Sequence, residues 1–307
     1  MRHTSTSTAL ITSLLLASSS LVSAAGTLGF ALGTKLADGS CKFQKDYESD
    51  FDSIKTASSA RLVRGYAASD CNFAEYILPA AQKKGFKVIL GVWPDTDDSF
   101  NADKTALSTY ATKFADVVYA VTVGSETLYR GNFTGSELLG KINEVKAILP
   151  NAKVGTADSW NKYADGTADP LIKGGVDLLL VNAFPYWQAQ PIANATSTYF
   201  SDIQQALAHI QSVSGSLSSI EVWNGETGWP TTGGTSYGTA TAGDEHAKTY
   251  WNDAVCAMLK WGVNVFYFEA FDEPWKPMSV GDTGLASDET HWGAMKADRG
   301  AKFPLTC

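Results

Sequence analysis

The chain has 307 residues, 44% of them hydrophobic and 18% charged. This composition is typical of a packed globular protein and excludes a disordered or collagen-like chain. The formal net charge is −8 at pH 7, which makes the chain a poor candidate for binding nucleic acid.

Residues 1–24 are predicted to be a signal peptide that is removed on export. Arg2 precedes an apolar run, diluted with Ser and Thr, over 9–22, and small residues follow it. The run is too short to span a bilayer, and the last residues lack the hydrophobic tail of a lipid-anchor signal. We therefore expect a secreted, extracellular or cell-wall protein that does not enter the membrane, with residues 25–307 forming a single monomeric domain.

The four cysteines indicate disulfides, because an even number of cysteines in an oxidising compartment favours pairing over metal ligation. None of them shows CxxC spacing. Three pairings are possible, and the short sequence separations favour Cys41 with Cys71 and Cys256 with Cys307.

Short apolar runs rich in β-forming residues alternate with stretches of helical composition along the remaining chain. The predicted strands, in chain order, are 28–33, 61–66, 87–92, 120–124, 153–157, 178–182, 220–225 and 263–269. The predicted helices are 46–56, 73–84, 104–114, 136–149, 202–213 and 243–260.

This alternation predicts parallel strands joined by right-handed crossovers, and eight repeats in about 250 residues match a closed (β/α)8 TIM barrel. An open doubly wound sheet is the alternative. That fold usually carries a GxGxxG loop after its first strand, and residues 29–33 lack this spacing. We therefore predict a single-domain α/β barrel, with 233–243 as a long loop after the seventh strand.

Two glutamates follow predicted strands, at the barrel end where active sites are built. Glu126 follows the fourth strand and Glu226 the seventh, each beside glycine. Two facing carboxyl groups are the minimum for breaking a glycosidic bond, provided that their proton affinities differ. A glutamate sheltered by aromatics such as Tyr129 would stay protonated, and one held by a cation such as Arg64 would stay ionised. A surface charge would explain one such acid, but two at strand ends favour a function.

Aromatic and polar residues near the strand ends indicate a sugar ligand, because sugar rings have apolar C–H faces that stack on aromatic rings. The tryptophans at strand ends are Trp93, Trp160, Trp187, Trp229 and Trp275. The polar candidates for binding hydroxyl groups are Asn182, Gln188, Asp158 and Glu273. Trp251 and Trp261 are predicted to pack in the core.

Other motifs carry less weight. Asn132 and Asn194 begin NxT acceptor sites for glycosylation. The GxSxG pattern at 234–238 lacks the preceding strand and following helix of an esterase nucleophile elbow. The histidines show no HExxH spacing, so neither a metal nor another cofactor is expected.

Four segments, 124–130, 182–188, 225–230 and 268–276, together resemble the sequence blocks of glycoside hydrolase family 17. They read GSETLYR, NAFPYWQ, GETGWP and FEAFDEPWK. The chain more closely resembles the fungal cell-wall branch of β-1,3-glucanases and glucanosyltransferases. The similarity covers essentially all of residues 25–307.

The resemblance implies a clan A barrel with Glu126 as acid/base and Glu226 as nucleophile. It also implies retention of configuration, with the carboxyl groups about 5 Å apart and a covalent glucosyl-enzyme intermediate. Many clan members have Asn where Ser125 stands, which leaves open which group contacts the hydroxyl next to the reacting carbon. The whole set expected to bind substrate is Tyr66, Arg64, Ser125, Tyr129, Asp158, Trp160, Asn182, Tyr186, Trp187, Gln188, Trp229, Glu273, Trp275 and Lys276.

Within that set, Tyr66 and Trp275 are expected to flank the reacting glucose, and Tyr129 and Trp187 to form an acceptor platform. The resulting hypothesis is a secreted retaining enzyme that cleaves β-1,3-glucan and transfers the chain to another glucan. Two alternatives stay open: a glucanase acting on β-1,4- or β-1,6-linked glucan, and a wall protein that binds glucan without catalysis.

Overall fold

The protein is a closed barrel of eight parallel strands that pair in chain order, β1 to β8, with β8 returning to β1. A computed structural model describes residues 25–281 and 283–307, so the predicted signal peptide, 1–24, lies outside the described residues. The strands are β1 Leu28–Ala31, β2 Leu62–Arg64, β3 Lys87–Val92, β4 Val118–Ser125, β5 Val154–Ser159, β6 Leu178–Asn182, β7 Glu221–Thr227 and β8 Val265–Tyr267. The predicted (β/α)8 barrel is confirmed.

Helices surround the barrel. Those of the described residues are α1 Gln44–Ala57, α2 Phe73–Lys84, α3 Asp97–Ala106, α4 Gly135–Ile148, α5 Trp160–Ala164, α6 Asp169–Lys173, α7 Ile192–Ser214, α8 Asp244–Tyr250 and α9 Cys256–Trp261. A hairpin of β9 Met278–Val280 and β10 Ala286–Asp288 follows the barrel. One π turn extends α3, and another joins α8 to α9.

Most elements were predicted correctly, but two helices begin earlier than predicted. Helix α3 begins at Asp97 because the Thr96 side chain accepts a hydrogen bond from the Ser99 amide, capping a polar first turn without apolar periodicity. Helix α7 starts ten residues before its predicted beginning. The short helices α5 and α6 and the hairpin were not predicted.

The barrel interior changes from apolar to polar along its axis. At the end formed by the strand N-termini, Trp223 of β7 stacks on Phe266 of β8 with ring centroids 5.0 Å apart, within a cluster of buried residues from seven strands. Side chains alternate between faces along a strand, so Leu62 and Arg64 of β2 both face inward. Leu62 belongs to the apolar cluster, while Arg64 is fully buried above it. The polar end of the interior is where the carboxyl ends of the strands meet.

Both predicted disulfide pairings are present. Cys41–Cys71 joins the loop after β1 to the turn before α2, and Cys256–Cys307 ties the chain end to α9. Each bridge shortens the loops available to the unfolded chain.

The remaining sequence predictions concern single residues. Trp251 is fully buried, as predicted, but Trp261 is 43% exposed, so its prediction as a core residue was wrong. Trp261 ends α9 and packs on the ring of Phe200. Asn132 and Asn194 are both exposed. Among the described residues, no helix combines the length and apolar character needed to cross a membrane.

Candidate active site

The turn after β4 directs Glu126 toward the barrel mouth. Gly124 has φ +82°, and a Cβ atom there would lie 2.8 Å from the Thr127 side chain, so only glycine fits without adjustment. Glu126 itself has φ +59°, which is uncommon for a residue with a side chain. Such backbone strain is typical of functional positions.

Asp158 of β5 holds this turn in place. Its carboxylate accepts hydrogen bonds from the Leu128 and Tyr129 amides at 2.8 and 3.1 Å. The Ser159 amide donates to it as well, and the side chain is fully buried. The prediction that Asp158 binds sugar hydroxyls was therefore wrong, because backbone amides occupy its oxygens.

Glu226, at the end of β7, is held by two donors. Arg64 donates to its Oε1 atom at 2.8 Å, and the Tyr66 hydroxyl donates to the same atom at 2.9 Å. Arg64 also donates to the Gly225 carbonyl and the Ser125 hydroxyl, both at 3.0 Å. One guanidinium thus ties together the ends of β2, β4 and β7. Arg64 thus positions Glu226, the candidate nucleophile. Its side chain is fully buried, so the prediction that Arg64 binds substrate was wrong.

Ser125 stands where many clan members have Asn, and its hydroxyl is engaged with Arg64. The amide nearest to Glu126 comes from another strand, since Asn182 of β6 donates to Glu126 Oε1 at 3.1 Å. The Asn182 Oδ1 atom is buried without a hydrogen-bond partner. Asn182 is therefore better placed than Ser125 to meet a substrate hydroxyl.

The environments of the two glutamates favour different protonation states. Burial and the nearby charge of Glu226 raise the pKa of Glu126 to about 8. Burial also raises the pKa of Glu226, but the Arg64 charge and the Tyr66 hydrogen bond oppose that rise. Burial and Glu226 raise the pKa of Tyr66 well above its usual range, so the tyrosine remains a donor. The pair therefore holds its proton on Glu126 and its charge on Glu226.

One side of the site is a cleft of about 280 Å³ that both glutamates line. Its aromatic walls are Tyr129, Trp160, Phe184, Trp187 and Phe268. Trp187 stacks on Trp292 with centroids 5.3 Å apart and planes 12° from parallel, which fixes its ring at the rim. Gln188 also lines the cleft, and its amide donates to Asp202.

A second cavity, of about 490 Å³, is lined by Tyr66, which donates to Glu226, and by Trp275, Glu273 and Lys276. The Lys276 ammonium lies 2.8 Å from both Glu269 oxygens and 3.0 Å from Glu273. Tyr66 and Trp275, predicted to flank the reacting sugar, thus lie together in this cavity.

Two predicted aromatic ligands lie behind the cleft wall. Tyr186 and Trp229 are fully buried and pack edge to face with centroids 5.2 Å apart. Trp229 donates its indole N–H to the Thr241 carbonyl. Their assignment to the substrate was wrong, because a position after a strand does not decide whether a side chain points into the cleft or away from it.

Three further polar residues at the site were not selected from the sequence. Arg130 lines the cleft, donates to the Ser125 carbonyl and lies over the Trp93 ring. Glu269 closes the eighth predicted strand, so the strand-end rule could have identified it. Glu289 lines the cleft but follows the hairpin, which had no sequence signal.

Comparison with known proteins identifies the family. The family model described as the BtgE/BtgC glycoside hydrolase domain matches residues 29–293. A glucan 1,3-beta-glucosidase of Arthroderma benhamiae is 58% identical, with 93% of this chain and 92% of that protein covered. The Saccharomyces cerevisiae glucan 1,3-beta-glucosidase is 42% identical over 99% of this chain and 98% of its own length.

A solved structure extends the comparison to three dimensions. The crystal structure of the glycoside hydrolase family 17 β-1,3-glucanosyltransferase from Rhizomucor miehei superposes with a TM-score of 0.77 at 31% identity. The superposition covers 92% of this chain and 97% of the Rhizomucor miehei chain. These matches confirm the resemblance noted in the sequence. The chain therefore belongs to the BtgE/BtgC glycoside hydrolases, a fungal group within glycoside hydrolase family 17.

Proposed function

We propose that this protein is a secreted retaining enzyme that cleaves β-1,3-glucan and transfers the chain to another glucan during fungal cell-wall remodelling. Similarity to proteins named glucan 1,3-beta-glucosidase and β-1,3-glucanosyltransferase supports the linkage and the transfer. An active-site mutant of the Rhizomucor miehei enzyme was solved with laminaritriose. We also propose that residues 1–24 are removed on export and that 25–307 form one catalytic domain, working as a monomer.

The observation that carries this proposal is the unequal pair of carboxyl groups at the cleft. Glu126 holds its proton, with its pKa raised to about 8, while Glu226 lies against a fully buried guanidinium. A retaining glycosidase needs one carboxylic acid and one carboxylate on opposite sides of the scissile bond.

In the first step, Glu226 attacks the anomeric carbon while Glu126 gives its proton to the leaving oxygen. Arg64 and Tyr66 both donate to Oε1 of Glu226, so Oε2 is the atom left for attack. The new bond joins Oε2 to the sugar, the glycosidic C–O bond breaks, and the leaving glucan departs as an alcohol.

In the second step, Glu126 acts as a base. It takes a proton from water, which gives hydrolysis, or from a sugar hydroxyl, which gives transfer. The oxygen of that acceptor bonds to the anomeric carbon as the glucosyl bond to Glu226 breaks, and Glu226 becomes a carboxylate again. Tyr129 and Trp187 line the cleft beside Glu126, so we assign them to the acceptor. Trp275, Glu273 and Lys276, across Glu226, are assigned to the donor chain.

Time-resolved product analysis tests the function. Reduced laminari-oligosaccharides, laminarin, cellulose and pustulan would be incubated in parallel, with NMR following the configuration of the first product. We expect activity on β-1,3-linked substrates alone, products both shorter and longer than the substrate, and β-anomers first. Binding of laminarin without any product would instead support a non-catalytic wall protein, and α-anomers would exclude retention.

A further inference from the structure

The hairpin of β9 and β10 carries an unusual cluster of exposed apolar side chains. It is a two-stranded antiparallel sheet separate from the barrel. Among the described residues, five large hydrophobic side chains are well exposed, and three of them lie here: Met278 at 57%, Val280 at 68% and Leu285 at 52%. Exposed apolar side chains that are grouped, instead of scattered singly, are typical of interaction surfaces.

The hairpin is anchored to the protein. Ser287 is fully buried and donates to the Thr235 carbonyl at 2.9 Å. The Thr283 amide donates to the Tyr237 hydroxyl at 2.7 Å. Both partners belong to the long loop after β7. These polar contacts anchor the hairpin, while Met278, Val280 and Leu285 project to solvent.

The hairpin is continuous with the leaving-group side of the cleft. Ser279, Val280 and Gly281 line the same cavity as Glu126 and Trp187. A Cβ atom at Gly281 would lie 2.6 Å from the Trp187 ring, so the hairpin backbone is directly against that ring. A chain that stacks on Trp187 and continues outward would therefore pass along this hairpin.

We propose that the exposed apolar surface of the hairpin, formed by Met278, Val280 and Leu285, binds the part of an acceptor β-1,3-glucan that extends beyond Trp187. This inference rests on the proposed function and adds a determinant of acceptor length. Glucose rings have apolar C–H faces, and covering aliphatic side chains with them removes apolar surface from water. The three side chains are uncharged, which suits contact with the apolar C–H faces of a neutral polymer. This surface selects long acceptors over short ones because a short acceptor ends at the cleft, before reaching Met278 and Leu285.

The test measures transfer as a function of acceptor length. Met278→Ser/Leu285→Ser is compared with the parent, using one laminari-oligosaccharide donor and labelled acceptors of two or eight glucose units. We expect transfer to the octamer to fall about tenfold, equivalent to about 1.4 kcal/mol, and transfer to the dimer to change far less. Trp261→Ser is the matched control. It removes another exposed hydrophobic residue, at the end of α9 that leads into β8 and so at the opposite end of the barrel.

The possible outcomes distinguish failure of this inference from failure of the proposed function on which it rests. An active parent whose double variant keeps the same acceptor-length profile overturns the inference alone. A parent that neither cleaves nor transfers overturns both. Light scattering tests self-association. If the parent is a dimer, the variant is a monomer and transfer is unchanged, the exposed hairpin surface serves self-association and the inference is overturned. If the double variant folds poorly, the two single variants replace it. Calorimetry then measures the binding of both acceptors in a Glu226→Gln background. Equal octamer affinity with and without the hairpin substitution also counts against the inference.

Discussion

Replacing Arg64 by Met should move the acid limb of the activity profile toward neutral pH. Arg64 is fully buried and lies 2.8 Å from Glu226. Two unit charges about 4 Å apart attract by about 4 kcal/mol at an effective dielectric constant of 20. Removing that attraction lowers the ionised fraction of Glu226 at acidic pH by up to about a thousandfold, since about 1.4 kcal/mol corresponds to a factor of ten.

The direction follows from what each acid must do. Glu226 attacks only when ionised, so activity is lost as the pH falls through its pKa. Glu126 must be protonated, so activity is lost as the pH rises through about 8. Losing Arg64 raises the pKa of Glu226 toward that of Glu126. We therefore expect a bell-shaped profile of kcat/KM that narrows from its acid side and has a lower maximum.

The assay is kcat/KM for laminari-oligosaccharide cleavage across the pH range, with circular dichroism and thermal melting to establish that each variant is folded. Breaking a buried ion pair costs about 3–5 kcal/mol of stability, so measurements belong well below the melting temperature. Arg64→Lys, which keeps the charge but loses the forked geometry, is the matched control and should retain more of the acid limb. A folded Arg64→Met protein with the parent's acid limb would refute the role of Arg64.

Four further predictions address Glu226, Glu126 and Trp187. Glu226→Gln should lose at least about 10⁴-fold in kcat, and its melting temperature should fall because the substitution leaves buried Arg64 without its charge partner; a folded variant with activity near that of the parent would remove Glu226 as the nucleophile. Glu126→Gln should slow poor leaving groups far more than activated aryl groups, and equal losses on both would contradict its role as acid. Because the folded state holds a proton on Glu126 up to about pH 8, parent stability should fall between about pH 5 and 8 relative to this variant. A constant difference in melting temperature over that range would disprove the raised pKa. Trp187→Ala removes a stacking surface worth about 1 kcal/mol, so the ratio of transfer to hydrolysis should fall several-fold; an unchanged ratio of long to short products would make Trp187 a packing residue.

The barrel could be predicted because short apolar runs alternate with stretches of helical composition along the chain. The strand-end rule then located Glu126 and Glu226, since the barrel brings the carboxyl ends of β4 and β7 to one mouth. The same rule failed for Tyr186 and Trp229. Neighbouring positions in a loop point in different directions, and a one-residue change decides between cleft and core.

Contacts between distant segments could not be predicted from the sequence. Arg64 was expected near Glu226, but its simultaneous bonds to Ser125 and the Gly225 carbonyl depend on how β2, β4 and β7 close around the interior. The β9–β10 hairpin has no local pattern, because it is held by contacts with the loop after β7. Those contacts also bring Glu289 to the cleft, and no spacing rule connects it with Glu226.

The donor-side cavity combines carboxyl groups with one ammonium group. Burial and neighbouring Glu273 raise the pKa of Glu269 well above its usual range, and the Lys276 charge opposes that rise. The pKa of Lys276 is raised by Glu269 and Glu273 despite its burial, which keeps the ammonium charged. The cavity therefore offers an ammonium and carboxyl oxygens, which together can donate to and accept from sugar hydroxyls. A uronic acid polymer would bring another carboxylate beside Glu269 and Glu273, where burial already disfavours negative charge. The donor side thus favours a neutral sugar chain such as glucan over an acidic one.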